Sequence, residues 1–173
     1  MNKSSLAREI YQISNIKGNF VLRSGQQATE YFDKYLFEAQ PKLLSEIAHQ
    51  LIEFIPENID LLAGLEMGGI PIATALSLQT GISHVFVRKE VKTYGTCKLA
   101  EGGDVEGKNL LIVEDVVTSG GAIIDAVKQL RKLGAKIDRA VCVIDRESSG
   151  KSNLEKIGVE LIPLFSSSYL ESV

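Results

Sequence analysis

Apolar residues recur along this chain with two different periods, and the alternation between them predicts an α/β protein. Leu6, Ile10 and Ile13 fall four and three residues apart within 3–13, the spacing of one helix face. Asn15 to Asn19 interrupts that pattern. Two short strands are expected next, Phe20–Ser24 and Glu30–Leu36, around the polar turn Gly25–Thr29. Pro41, favoured in the first turn of a helix, opens a second helix to about Phe54, with Leu44, Ile47, Ala48 and Leu51 on one face.

Beyond residue 60 the pattern changes to short continuous apolar runs. Leu61–Gly64, Val85–Val87, Leu110–Val113 and Ala140–Ile144 read as strands, with Val159–Ile162 a candidate fifth. Runs that are apolar on both sides suit parallel strands covered by helices on both faces. A helix is expected after the glycine-rich turn at 64–69, through about Leu78, and another from Ile123 to Leu130. Right-handed crossovers then give a doubly wound, mainly parallel sheet flanked by helices, with binding groups at the strands' carboxyl ends. The interval 88–108 stands out: it has no apolar period and carries Arg88, Lys89, Lys92 and Lys98. Loops of this length are usually functional, and a mobile basic lid over a polyanionic substrate accounts for both length and charge. The bland alternative is a solvated surface loop.

Composition narrows the function classes. At 173 residues, 45% hydrophobic and 24% charged, the chain is most economically one globular domain. The net charge of −3, without a basic tract, argues against a nucleic-acid surface. No apolar run approaches the roughly 20 residues that span a bilayer. The first residues lack a signal-like apolar core, so a cytoplasmic location is expected. Cys97, Cys142, His49 and His84 lack metal-ligand spacing, so Cys142 is expected in the core, the histidines as structural, and no protein-held metal site.

The most informative stretch is Leu110–Ala122, Leu-Leu-Ile-Val-Glu-Asp-Val-Val-Thr-Ser-Gly-Gly-Ala. An apolar strand ends in two carboxylates, followed by a small, hydroxyl-rich turn that leads into a helix. Glycines let backbone N–H groups approach an anion, and the helix N-terminus adds a favourable dipole. The combination suits a sugar that carries hydroxyls and a phosphate. No Gly-Lys-Ser/Thr follows the glycines, so it is not a Walker-type loop.

This order resembles the 5-phosphoribosyl diphosphate (PRPP) signature of the type I phosphoribosyltransferases. The resemblance implies that Glu114 and Asp115 meet the ribose hydroxyls and that Thr118, Ser119, Gly120, Gly121 and Ala122 wrap the 5′-phosphate, Val116 and Val117 belonging to the same PRPP segment. Further segments resemble orotate phosphoribosyltransferase, and with the PRPP motif they cover most of the chain. Ile16–Gly25 with Tyr31-Phe32-Asp33 is similar to that family's N-terminal hood, Gly64–Ala73 to its diphosphate loop, and Arg88–Lys92 to the start of its catalytic lid. Ile144-Asp145-Arg146 matches a strand-end arginine used on the orotate carboxylate. A guanidinium suits that group because it binds a carboxylate through paired, charge-assisted hydrogen bonds. A surface ion pair with Glu147 is the alternative use of Arg146.

The resemblance implies one phosphoribosyltransferase domain over 1–173, with a hood at about 1–40, a core at about 41–165 and a lid at about 88–108. It implies transfer of ribose 5-phosphate from PRPP to orotate in pyrimidine synthesis, with Mg²⁺ carried mainly on PRPP. Lys92, Glu114 and Asp115 are the implied catalytic residues. Arg88, Lys89, Lys92 and Lys98 join the PRPP loop in binding PRPP, and Arg23, Tyr31, Phe32, Thr118 and Arg146 serve orotate. Lys92 and Arg88 would reach a neighbouring subunit's diphosphate, which implies a homodimer.

Three departures from the family pattern bear on this. Met67-Gly68 stands where better-studied members carry Tyr-Lys, Tyr94 where a histidine is common, and Thr96–Ala100 lengthens the lid. Lys98 is a candidate for replacing the charge lost at Gly68. A strained, cis-type backbone near Glu66-Met67 is also implied. Two rivals remain open: a phosphoribosyltransferase for another nucleobase, and a PRPP-sensing regulatory domain without turnover.

Overall fold

The computed structural model describes residues 1–21, 25–90 and 98–173. Helix α1 (Lys3–Ser14) is capped by Asn2, whose side chain accepts from the Ser5 N–H, and it buries Leu6, Ala7 and Ile10. The hairpin β1 (Asn15–Val21) and β2 (Gln27–Phe32) forms a separate two-stranded antiparallel sheet. Asn15–Asn19, expected as a break, is therefore strand. The expected strand Glu30–Leu36 is corrected too. Asp33 accepts from the Tyr35 N–H and starts a short helix, α2 (Lys34–Glu38), ending the strand at Phe32. Local capping outcompetes the aromatic strand pattern here.

Helix α3 (Pro41–Leu51) carries Pro41 at its start and runs into a 3-10 turn at Ile52–Phe54. Strands and helices then alternate: β3 (Leu61–Leu65), α4 (Gly69–Thr80), β4 (His84–Val87), β5 (Ala100–Glu101), β6 (Asn109–Val117), α5 (Gly121–Lys132), β7 (Lys136–Asp145), α6 (Gly150–Glu155), β8 (Glu160–Ser166) and α7 (Ser167–Ser172). The main sheet has the order β5-β4-β3-β6-β7-β8. All its pairs are parallel except β4 with β5. That confirms the doubly wound α/β architecture. The interval 88–108 is not structureless throughout: Leu99, Ala100 and Val105 are buried, and residues 100–101 pair with β4. A two-residue strand, Ala100-Glu101, is too short to show a period, so this edge strand left no signal.

β6 sits at the centre, and its side chains alternate between two cores. Leu110 and Ile112 pack with Ile123, Val127 and Leu130 of α5. Leu111 and Val113 face the other way, against Leu6, Ile47, Ile72 and Leu76 of α1, α3 and α4. The same alternation carries past Val113 into the two carboxylates. Glu114 continues the α5 face and Asp115 the face of α1 to α4, which divides their neighbours.

Candidate active site

β6 runs on to Val117, so the acidic pair lies within the strand and not just beyond it. Glu114 borders a small cavity with Val117, Thr118, Ser119, Gly120 and Ala122. Gly120 has φ +76°, a left-handed conformation that a side chain disfavours. Its turn is buttressed from outside by α6, where Asn153 Nδ2 donates to the Ser119 carbonyl at 3.1 Å. Gly150 permits the contact: a Cβ there would lie 2.7 Å from Val117 Cγ1 and 2.8 Å from the Thr118 carbonyl oxygen. The exposed hydroxyl residues Thr118 and Ser119 thus lead into the first turn of α5, with free N–H groups suited to a phosphate.

A wider cavity adjoins this turn. Gly121, Ala122 and Asp125 of α5 face Leu65 and Glu66 from the β3 end and Arg88, Lys89 and Glu90 from the β4 end. Glu66 ties the two strand ends together, its carboxylate accepting from the Lys89 N–H. The Glu66–Met67 peptide is cis, as the resemblance implied. Arg88 Nε lies 3.7 Å from the Glu101 carboxylate.

Asp115 looks the other way, toward the hairpin side. Lys34 of α2 sits 2.6 Å from Asp115 Oδ2, and the aspartate side chain is only 1% exposed. Its other oxygen accepts from the Val116 N–H. Glu38, one turn on from Lys34, contacts the same carboxylate, while its own Oε1 is buried without a hydrogen-bond partner. The electrostatics follow from this crowding. Burial, reinforced by the neighbouring Asp115, pushes Glu38 up to about 8. Burial and then Asp115 also hold Glu114 well above the usual carboxylate range. For Asp115 burial acts upward, but the contacts from Glu114 and Lys34 outweigh it and leave it below its ordinary value. The same crowding thus favours the charged form at Asp115 and the protonated form at Glu38 and Glu114.

At the end of β7, the Arg146 N–H donates to the Val117 carbonyl at 2.8 Å, which places Arg146 directly beside the Thr118 turn. Its side chain is exposed. The ion pair with Glu147 does not form, because that carboxylate is committed elsewhere. It accepts from the Ser168 N–H at 2.7 Å and from the hydroxyls of Ser167 and Ser168.

A phosphoribosyl transferase domain matches residues 36–165. The orotate phosphoribosyltransferase of a Nocardioides species is 50% identical over 98% of this chain and 94% of its own length. That of Methanocella arvoryzae is 42% identical over 96% of each chain. This chain belongs to the orotate phosphoribosyltransferase family. Among solved structures, the Mycobacterium tuberculosis orotate phosphoribosyltransferase superposes with a TM-score of 0.89 at 27% identity, covering 97% of this chain and 98% of that one.

Within this orotate phosphoribosyltransferase scaffold, the fold brings Glu114, Val117 to Ala122 and Arg146 together, with Arg88 and Lys89 across the wider cavity. Val116 is partly buried and packs against the core on the α1 to α4 side. Tyr31 is exposed and packs on Phe20 with ring centroids 5.5 Å apart, whereas Phe32 turns inward against Phe37. Neighbouring strand residues face opposite sides, so the aromatic pair is divided just as the acidic pair is. Arg23, Lys92 and Tyr94 lie outside the described residues. Lys98 borders a different cavity, with Gln129, Lys132 and Leu133 from the carboxyl-terminal end of α5. The cation that meets the side chain filling the space over Gly68 is instead Lys34. Lys34, Glu38 and Asn153 went unnoticed in the sequence because nothing local distinguishes them from solvated helix residues.

Proposed function

We infer that this chain transfers ribose 5-phosphate from PRPP to orotate, releasing pyrophosphate and giving orotidine 5′-phosphate for UMP synthesis. The observation that carries the reading is the uncommitted Arg146 guanidinium beside the Thr118–Ala122 turn, one strand over from Glu114. A phosphate seated on the turn and α5 would leave the ribose over Glu114 and Asp115, and its anomeric carbon would face the side on which Arg146 can hold a carboxylate. Adenine, guanine and uracil offer no such carboxylate. Thr118 sits where both ligands would meet, and Tyr31 offers an exposed ring to the flat base.

Breaking the C1–O bond builds oxocarbenium character on the sugar and negative charge on the leaving diphosphate. The carboxylates would hold the hydroxyls and orient the sugar, and the phosphate turn would anchor its far end. Arg88 and Lys89 line the cavity that would receive the diphosphate, with Lys92 as a further proposed catalytic cation and Lys98 as a proposed PRPP contact. Among the described residues no cluster of three or more His, Cys, Asp or Glu side chains is arranged to hold a metal. Mg²⁺ would be carried on PRPP, where the ion would neutralise diphosphate charge.

A hood over 1–40, a lid within 88–108 and a homodimer complete the proposal. Exposed Met67, Leu78 and Phe86, on neighbouring elements, offer apolar area to a second copy. Sedimentation at about twice the 18.9 kDa chain mass would support that dimer. Among the described residues no helix is long and apolar enough to cross a membrane, in keeping with the proposed cytoplasmic location. The deciding experiment follows orotate by ultraviolet absorbance with PRPP and Mg²⁺, beside parallel reactions with adenine and uracil. PRPP-dependent loss of orotate with release of pyrophosphate supports the reading. Consumption of another base, or PRPP binding with no base consumed, would overturn it.

A further inference from the structure

Gly68 leaves a notch that no other residue could leave. A Cβ built there would stand 1.7 Å from Asp115 Oδ2, so the carboxylate occupies the space a side chain would need. Two groups close the notch from helix α2. Lys34 Nζ lies 2.6 Å from that same oxygen, and its side chain is two-thirds buried. Glu38 meets the carboxylate one turn later and is itself buried. Residues four apart on a helix project from the same face, so a single turn of α2 delivers both. The Asp33 cap sets where that turn begins, with its side chain accepting from the Tyr35 N–H at 3.0 Å.

We propose that Lys34 and Glu38 are positioning residues, which hold the Asp115 carboxylate in the notch over Gly68 and thereby set the orientation of the acidic pair for the ribose hydroxyls. The inference rests on the reading of Glu114 and Asp115 as the sugar-binding pair. The lysine acts as a fixed countercharge. A carboxylate this deeply buried is costly unless it is paired, and an unpaired one takes up a proton or swings toward water. Glu38 acts as a hydrogen-bond donor while it holds its proton. The charged groups facing it are Asp115 of β6, Lys34 on its own helix and the capping residue Asp33. Above about pH 8 it would place a second negative charge against Asp115. Lys34 therefore works through Asp115 and not on the substrate, which separates it from Arg88 and Lys89.

The test measures PRPP affinity by calorimetry with Mg²⁺, and KM and kcat with orotate, for the full chain and its K34M, K34R, D115N and K34M/D115N variants. K34M is expected to weaken PRPP at least tenfold while KM for orotate moves less than twofold. K34R is expected to restore most of the loss. In the D115N background the lysine substitution should cost little, because the amide needs no countercharge. The parent chain is expected to lose PRPP affinity as pH rises through about 8, and E38Q, whose amide cannot ionise, to lack that fall. Unchanged PRPP affinity in K34M would overturn the proposal, as would an undiminished loss in the D115N background, which would mean that Lys34 touches PRPP directly. Parallel pH profiles for E38Q and the parent would remove Glu38 from it. A parent chain that binds PRPP but spares orotate would overturn the base assignment alone, since the affinity comparison still stands. A parent chain without PRPP affinity would overturn both.

Discussion

Glu147 holds a backbone conformation that only glycine adopts freely, with φ +52°. The strain, roughly 1–2 kcal/mol for a residue with a Cβ, is offset by three hydrogen bonds from Ser167 and Ser168 to its carboxylate. Asp145 adds a fourth constraint by accepting from the Glu147 N–H. The carboxylates on either side of Arg146 are thus engaged elsewhere, and Arg146 stands exposed beside the Thr118 turn. An arginine left this way can supply a bidentate contact worth about 1.5–3 kcal/mol to a bound carboxylate. R146A is therefore expected to raise KM for orotate by roughly 10- to 100-fold while leaving PRPP affinity within about twofold. Equal losses for both substrates would assign Arg146 to the phosphate turn instead.

At the scale of elements, the Thr118–Ala122 turn depends on a helix that lines neither cavity of the proposed site. α6 lies against residues 117–120 so closely that Gly150 has no room for a methyl group, and Gly120 keeps its positive φ within the same contact. G150A must push α6 away from the Thr118 turn or twist the turn itself. The expected cost is about 1–3 kcal/mol of stability, typical of overpacking, read as a lower urea midpoint. PRPP affinity should fall with it, at least tenfold, because displaced N–H groups no longer converge on one phosphate. A variant destabilised by this amount with unchanged PRPP affinity would show that the turn keeps its shape without α6. Neither this helix nor α2 was evident in the apolar pattern. α6 spans six residues and α2 five, too few for a helical period to be counted.

Across the whole molecule, the buried charges make stability depend on pH in opposed ways. Glu38 has its proton affinity raised by folding, to about 8 from an ordinary 4.5. Its contribution is thus present in full below about pH 4.5 and is lost as pH rises through about 8. Asp115 is lowered by folding, so its contribution is present above its ordinary range and is lost on acidification. Each tenfold change in proton affinity corresponds to about 1.4 kcal/mol. Urea unfolding of the parent chain is therefore expected to show falling stability from about pH 5 to about pH 8.5, and E38Q a visibly flatter dependence. Curves of equal slope would show that Glu38 is already ionised in the fold.

Much of this was legible in the chain. Continuous apolar runs marked β3, β4, β6 and β7, since strands buried on both faces admit few polar residues. The Glu-Asp-Val-Val-Thr-Ser-Gly-Gly order marked the turn between β6 and α5, because anion-binding turns need small residues at fixed offsets. Such signals are local, and local chemistry sets them. What the pattern did not carry was which way each carboxylate faces and what meets it. Strand alternation turned Glu114 to the Thr118–Ala122 turn and Asp115 to α2, and only chain packing brought Lys34, Glu38 and Gly68 to the same carboxylate. Contacts between residues far apart in sequence depend on how whole elements dock, and docking is decided by the summed burial of two cores. No single stretch of the chain records that sum.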